Sequence, residues 1–246
     1  MKLGAEKILP YNGVEQKGRQ VERMFDSIAA RYDLLNHTLS LGLDKGWRRK
    51  AIRYLKPFAP ELILDIATGT GDLAISLHKA LGNARITGVD ISEGMMQIGR
   101  EKAARAGYSS YILFEKQDCL ALTYQDNTFD AVTAAFGIRN FEDIEKGLAE
   151  MYRTLKPGGH VMILELSSPV KFPMKQLHSL YAGMIIPQAG KFISKDKQAY
   201  RYLPASIRAM PQGEEMQALL EKQGFTGVQV KTFTGGICSL YTGEKG

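Results

Sequence analysis

Apolar residues at Val21, Met24, Phe25, Ile28, Tyr32 and Leu35 recur at steps of three and four. That spacing predicts an amphipathic helix with a single buried stripe. A second, shorter helix should follow, with Asp44 as N-cap, with Trp47, Ala51, Ile52 and Leu55 turned inward, and with Pro57 as its stop. From Glu61 the period changes. The short apolar run Leu62-Ile63-Leu64-Asp65-Ile66 suits a buried strand. Further strands are predicted over 86–90, 111–114, 129–136 and 161–166. Helices fall between them over about 71–82, up to about 106, and along the face of Ile144, Leu148, Met151, Tyr152 and Leu155. Lys156-Pro157-Gly158-Gly159 reads as a turn. Strands alternating with helices of this length imply a parallel sheet covered on both faces.

Residues 167–212 break the rhythm. Leu177, Leu180, Tyr181, Met184 and Ile185 share one helical face there, which suits a helical lid. A helix over 214–223 and strands over 228–233 and 237–242 close the chain. The short Thr234-Gly235-Gly236 link makes the last two strands antiparallel neighbours. The expected fold is α/β: a doubly wound, seven-stranded, mostly parallel sheet in one domain over 1–246. Its parts are a flexible N-terminus (1–20), N-terminal helices (21–60), a cofactor-binding half (61–166), a lid or acceptor insert (167–212) and a last helix with two strands (213–246).

Composition narrows the function. No run nears the roughly 20 apolar residues that span a bilayer; the longest, Leu180 to Ile186, is closed by Pro187. Nothing after Lys2 and Lys7 reads as a secretory signal, so a cytoplasmic protein is expected. Two cysteines and four histidines without paired spacing predict no metal site. Charge is uneven. Residues 1–60 hold 12 Lys/Arg against 6 Asp/Glu, residues 61–170 hold 10 against 15, and residues 171–246 hold 10 against 5. No RNA-binding module accompanies the basic ends, so no nucleic-acid partner is expected.

The chemistry concentrates in Asp65-Ile66-Ala67-Thr68-Gly69-Thr70-Gly71-Asp72, between the first sheet strand and a helix. In a doubly wound sheet that turn lies at the ligand-binding edge. Two cofactors compete for it. Gly69-Thr70-Gly71-Asp72-Leu73-Ala74 fits the dinucleotide pattern, with Asp90 near the ribose-binding position. Asp65 and Asp72, however, crowd the helix start with negative charge and oppose a diphosphate. The ammonium and sulfonium of S-adenosylmethionine suit those acids better. Asp118 could accept from an adenine amino group, with the Cys119 backbone N–H beside it.

These segments resemble the class I S-adenosylmethionine-dependent methyltransferases: residues 65–72 match the first cofactor motif, Gly88-Val89-Asp90 the second and Gln117-Asp118 the third. Phe129-Asp130-Ala131-Val132 and Leu155-Lys156-Pro157-Gly158-Gly159 match later ones. Ala67 stands where many members have glycine. Within that class, four stretches resemble the C-methyltransferases of ubiquinone and menaquinone biosynthesis. They are residues 25–36 with Ser40-Leu41-Gly42 and Trp47-Arg48; residues 64–72; Phe136-Gly137-Ile138-Arg139-Asn140; and Tyr200-Arg201-Tyr202-Leu203 with Ser206. Ala135 stands where that subfamily often has serine.

The resemblance implies S-adenosylmethionine as cofactor, held by Tyr32, Asp65, Gly69, Thr70, Gly71, Asp90, Asp118 and Cys119. It implies a prenylated quinol as acceptor and methylation of a ring carbon; a short chain with no organelle-type leader favours demethylmenaquinol over the ubiquinone precursor. Arg139 would lower the phenol pKa and orient the oxygen it bears, and Asn140 would orient the other oxygen. The competing reading of Arg139 is a surface salt bridge with Glu142 or Asp143. Tyr181, Met184, Tyr200 and Tyr202 are the expected acceptor contacts. His37 and His178 are weaker candidates for a base. An apolar insert flanked by Lys171, Lys175, Lys191, Lys195 and Lys197 suits peripheral contact at the inner face of a membrane. Assembly, including a homodimer, stays open.

Overall fold

Strands that are apolar without alternation must be covered on both faces. In the computed structural model, which describes residues 2–177, 180 and 197–246, they are. Seven strands form one sheet in the order β3-β2-β1-β4-β5-β7-β6. They are β1 (Leu62–Ile66), β2 (Arg85–Asp90), β3 (Ile112–Lys116), β4 (Phe129–Ala135), β5 (Leu155–Leu166), β6 (Phe225–Phe233) and β7 (Cys238–Lys245). β7 runs antiparallel to both neighbours, and the other pairings are parallel. The strand order reverses between β1 and β4, which sets the switch point at the carboxyl end of β1.

Successive β1 residues serve opposite faces. Leu64 and Ile66 join one core with Val132, Leu148, Met151 and Tyr241, and Ile63 joins the other with Trp47, Leu77, Ile86 and Met162. The first core lies under α5 (Ile144–Thr154) and α7 (Glu214–Lys222). The second lies under α2 (Leu43–Leu55) and α3 (Asp72–Leu81). The remaining described helices are α1 (Lys17–Leu39), α4 (Glu93–Arg105) and α6 (Lys197–Ala209).

Several expectations change. The first residues are not loose. Ala5 and Glu6 are buried, and Glu6 accepts the backbone N–H groups of Leu3 (2.6 Å) and Ile144 (2.8 Å). The second is the first amide of α5, an orphan donor at a helix start. Buried Lys17 ties the same segment to the site loop, donating to the carbonyls of Ala5 (2.7 Å) and Arg139 (3.2 Å). Asp44 sits inside the first turn of α2, whose cap is Gly42 at φ 73°. The glycines at 158 and 159 do not end a turn before β5. They form its irregular start, where the pairing shifts between Phe129 and Ala131. Of the insert, Tyr181, Met184 and Ile185 lie outside the described residues, as does His178; α6 is described, but not the side chain of Tyr200.

Candidate functional site

β1, β2 and β4 end together, since Ile66 pairs with Val89 on one side and Ala134 on the other. The turn after β1 carries Ala67 at φ 52°, Gly69 at φ 55° and Gly71 at φ 74°. A side chain at Gly71 would meet the Phe114 ring at 2.7 Å, so glycine is required there. Ala67 is accommodated because its methyl fills the space a side chain on Gly137 would need.

Two cavities that share part of their lining open at the carboxyl edge of the sheet, one of them beside this turn. The larger, about 600 Å³, is lined by Tyr32, Asp65, Gly69, Thr70, Asp90, Asp118, Cys119 and Asn140. The other, about 310 Å³, is mostly apolar, with Leu39, Leu43, Trp47, Met174, Leu203 and Ile207 around Arg139. Tyr32, Arg48 and Phe136 line both. A donor in one chamber and an acceptor in the other would meet at that wall.

The first chamber is acidic and organised. Asp65 accepts from Thr68 Oγ1 (2.6 Å) and Thr133 Oγ1 (2.8 Å). Burial pushes its carboxyl up to about 6, against the pull of those two hydroxyls. Asp90 accepts the backbone N–H groups of Gly69 and Ser92, both at 2.9 Å, and burial raises its pKa as well. Asp118 accepts from the Leu120 N–H (2.9 Å). Burial raises the Cys119 thiol, which stays protonated and is no nucleophile. Thr70 points its hydroxyl at Asp33 (2.6 Å).

This arrangement decides between the two cofactor chemistries. A dinucleotide's diphosphate needs the free N–H groups of the glycine turn. Here Asp90 takes the Gly69 N–H, the Gly71 N–H bonds the Thr68 carbonyl, and Asp72 opens α3. A ligand with an ammonium, a sulfonium and ribose hydroxyls fits such a carboxylate-lined chamber.

Arg139 is not on the surface and does not pair with Glu142 or Asp143. It is buried, donates through Nη1 to Glu165 Oε1 (2.7 Å) and to the Phe136 carbonyl. Burial opposes its charge, but Glu165, Tyr32 and Tyr202 outweigh that and hold its pKa above the ordinary value. Asn140 lines the acidic chamber, not the apolar one. Tyr202, expected among the acceptor contacts, lines neither chamber; its hydroxyl donates to Asn140 Oδ1 (3.0 Å) and it packs with Met24, making it a strut. Tyr32 is half-buried at the shared wall, edge-on to Phe25. His37 bonds Asp44 (2.9 Å) and lines neither chamber.

Sequence reasoning overlooked Arg48, Glu165, Asp33 and Lys102. Arg48 entered only as part of the Trp47-Arg48 stretch of the resemblance, with no role assigned. Its one legible signal is Asp44 four residues earlier on the same helix.

The chain resembles known proteins over nearly its whole length. The model of the ubiE/COQ5 methyltransferase family matches residues 13–245. A demethylmenaquinone methyltransferase from Bacteroides fragilis is 56% identical over the whole of both chains. A ubiquinone/menaquinone biosynthesis C-methyltransferase from Geobacter sulfurreducens is 43% identical, covering 98% of this chain and 93% of that one. Among solved structures, a SAM-dependent methyltransferase from Thermotoga maritima superposes with a TM-score of 0.65 at 21% identity, covering 92% of this chain and 99% of that one, and so shares the fold. With the family pattern running through nearly the whole length and a full-length relative above half identity, the chain belongs to the ubiE/COQ5 methyltransferase family.

Proposed function

We propose that the chain methylates a ring carbon of demethylmenaquinol, with S-adenosylmethionine as donor. The observation that carries this reading is the pair of adjoining chambers, one acidic and one apolar, with Tyr32, Arg48 and Phe136 as common wall. When bound, S-adenosylmethionine supplies an electrophilic methyl on a sulfonium. Asp90, its oxygens aimed by two backbone amides, is the group to hold ribose hydroxyls. Asp65 and the glycine turn face the cationic end, and Asp118 and Cys119 the adenine.

The acceptor carbon is a weak nucleophile until an adjacent hydroxyl gives up its proton. Arg139, at the apolar chamber, favours the phenolate and cannot itself act as a base. The carbon–carbon bond then forms as the carbon–sulfur bond breaks, and the ring proton leaves to solvent base. Apolar walls suit an isoprenoid tail and keep water from competing. Peripheral contact with a membrane belongs to the same reading. Val170 and Phe172 are about 80% exposed beside Lys171, in a stretch that continues into Met174 and Leu177 of the acceptor chamber.

The test is anaerobic turnover of purified protein with methyl-labelled S-adenosylmethionine and either demethylmenaquinol or a 2-methoxy-6-polyprenyl benzoquinol, read by mass spectrometry. Label in the naphthalene ring is the expected result. Label in neither quinol would overturn the reading, and a clear preference for the benzoquinol would move it to the ubiquinone step.

A further inference from the structure

Two arginines, not one, face the apolar chamber. Arg48 comes from α2 and Arg139 from the turn after β4, and both are more than nine-tenths buried. Each is held by carboxylate. Arg48 donates to Asp44 (2.5 Å) and ion-pairs with Asp72 (3.5 Å), while Arg139 pairs with Glu165. Phe136 couples them, since its ring lies 5.4 Å from the Arg48 guanidinium and its carbonyl accepts from Arg139. Both guanidiniums also keep a buried Nε–H for which no described residue supplies an acceptor.

A buried donor without a partner is costly, and an arginine already anchored by carboxylates has no freedom to find one in water. His37, Asp44 and Asp72 do lie close enough together to suggest a cation site. Arg48 bonds two of those three groups, so the guanidinium already provides the positive charge. The acids therefore hold Arg48 in place through its terminal nitrogens, and its Nε–H is left without a described partner. Two fixed guanidiniums on one apolar chamber match an aromatic ring bearing two oxygens.

Resting on the reading that the acceptor is a quinol, we propose that Arg48 is a second acceptor-binding residue: Arg139 serves the oxygen beside the methylated carbon, and Arg48 the oxygen across the ring. The site then selects for a para-diol over a ring with one hydroxyl, because a missing oxygen leaves Arg48 unsatisfied.

The experiment titrates two short-tailed ligands into protein saturated with S-adenosylhomocysteine, by calorimetry under anaerobic conditions. One is the 1,4-naphthalenediol, and the other lacks the hydroxyl para to the one beside the methylated carbon. Wild type should prefer the diol by about tenfold or more, the scale of one hydrogen bond to a charged group. Arg48→Lys keeps the charge but loses the planar fork, and should erase most of that preference when the comparison is made at saturating S-adenosylhomocysteine. Arg48→Gln, a neutral donor toward Asp44, gives a second reading if the lysine variant folds poorly. Equal weakening of both ligands, or an undiminished preference for the diol, would overturn the proposal. Turnover of the same protein preparations with S-adenosylmethionine in place of S-adenosylhomocysteine separates the two readings: diol preference without methylation of any quinol would remove the proposed reaction and leave the two-arginine site standing.

Discussion

Asp65 sits fully buried at the end of β1, where burial lifts its pKa from 3.8 to about 6. The folded state therefore keeps a proton that the unfolded chain releases between those values. The stability this confers is complete below pH 3.8 and is lost as pH rises through about 6. Each pKa unit is worth about 1.4 kcal/mol, so the loss is about 3 kcal/mol at most. Asp65→Asn should melt higher than wild type at pH 8, with the gain fading towards pH 4, in thermal scans of the cofactor-free protein. A cationic ligand needs the ionised form. Wild-type affinity for S-adenosylmethionine should therefore fall as pH drops below about 6, and the variant should lose that component. A pH-independent difference in melting between the two proteins would remove the assignment.

Arg139 and Glu165 form a buried pair, and removing one partner strands the other. Arg139→Ala should cost about 3–5 kcal/mol of stability on that ground, so it does not isolate a catalytic effect. Glu165→Gln retains an acceptor for Nη1 and removes only the charge. Turnover should then change with little change in S-adenosylmethionine affinity, and the pH profile should shift because the guanidinium charge is less neutralised. An unaltered profile in a folded Glu165→Gln protein would make the pair purely structural.

At the level of elements, α1 is the cover of the acidic chamber. Its Gly18, Val21, Glu22, Phe25 and Tyr32 line that space. Polar contacts latch it along its length. Glu22 meets Lys116 (2.6 Å), Asp26 accepts from Ser92 Oγ (2.6 Å) and the Gly94 N–H (3.1 Å), and Asp33 accepts from Thr70 Oγ1 (2.6 Å) and Lys102 Nζ (2.7 Å). A ligand that exchanges past this cover has to lift the helix. Asp33→Ala cuts the latch at the glycine turn and should speed S-adenosylhomocysteine release about tenfold in a stopped-flow chase, with a smaller effect on association. An unchanged release rate would mean that ligand exchange goes by another route.

Across the whole molecule, basic flanks and exposed apolar side chains gather at the acceptor side. Leu41 is 75% exposed and, with Leu43 and Leu177, lines the apolar chamber, while Val170 and Phe172 stand out nearby in sequence beside Lys171 and Lys175. Vesicles containing phosphatidylglycerol should carry the protein in flotation, and neutral vesicles should carry much less, with binding falling as salt is raised. Phe172→Ser should weaken flotation and leave turnover of a short-tailed quinol unchanged. No difference between the two vesicle types would confine the basic charge to a solvated surface.

The sequence alone determined the sheet and the cofactor turn, because both are local. A short, mostly apolar run marks β1, helical periodicity marks α1 and α5, and the acids at 65, 90 and 118 each lie at or just past a strand's carboxyl end. Even the antiparallel end was legible from three residues between two strands. Tertiary structure decided what depends on distant partners. Glu6 is an ordinary acid in sequence until it meets the Ile144 amide 138 positions away. Tyr202 becomes a strut by reaching Asn140 across 62 positions. Arg139 escapes its acidic sequence neighbours because β5 runs beside β4 and brings Glu165 under it, and Arg48 turns inward because the end of β1 delivers Asp72. Period and composition report which face a residue takes. Which charge it meets on that face is set by how strands are ordered, and that information is carried by no single stretch of the chain.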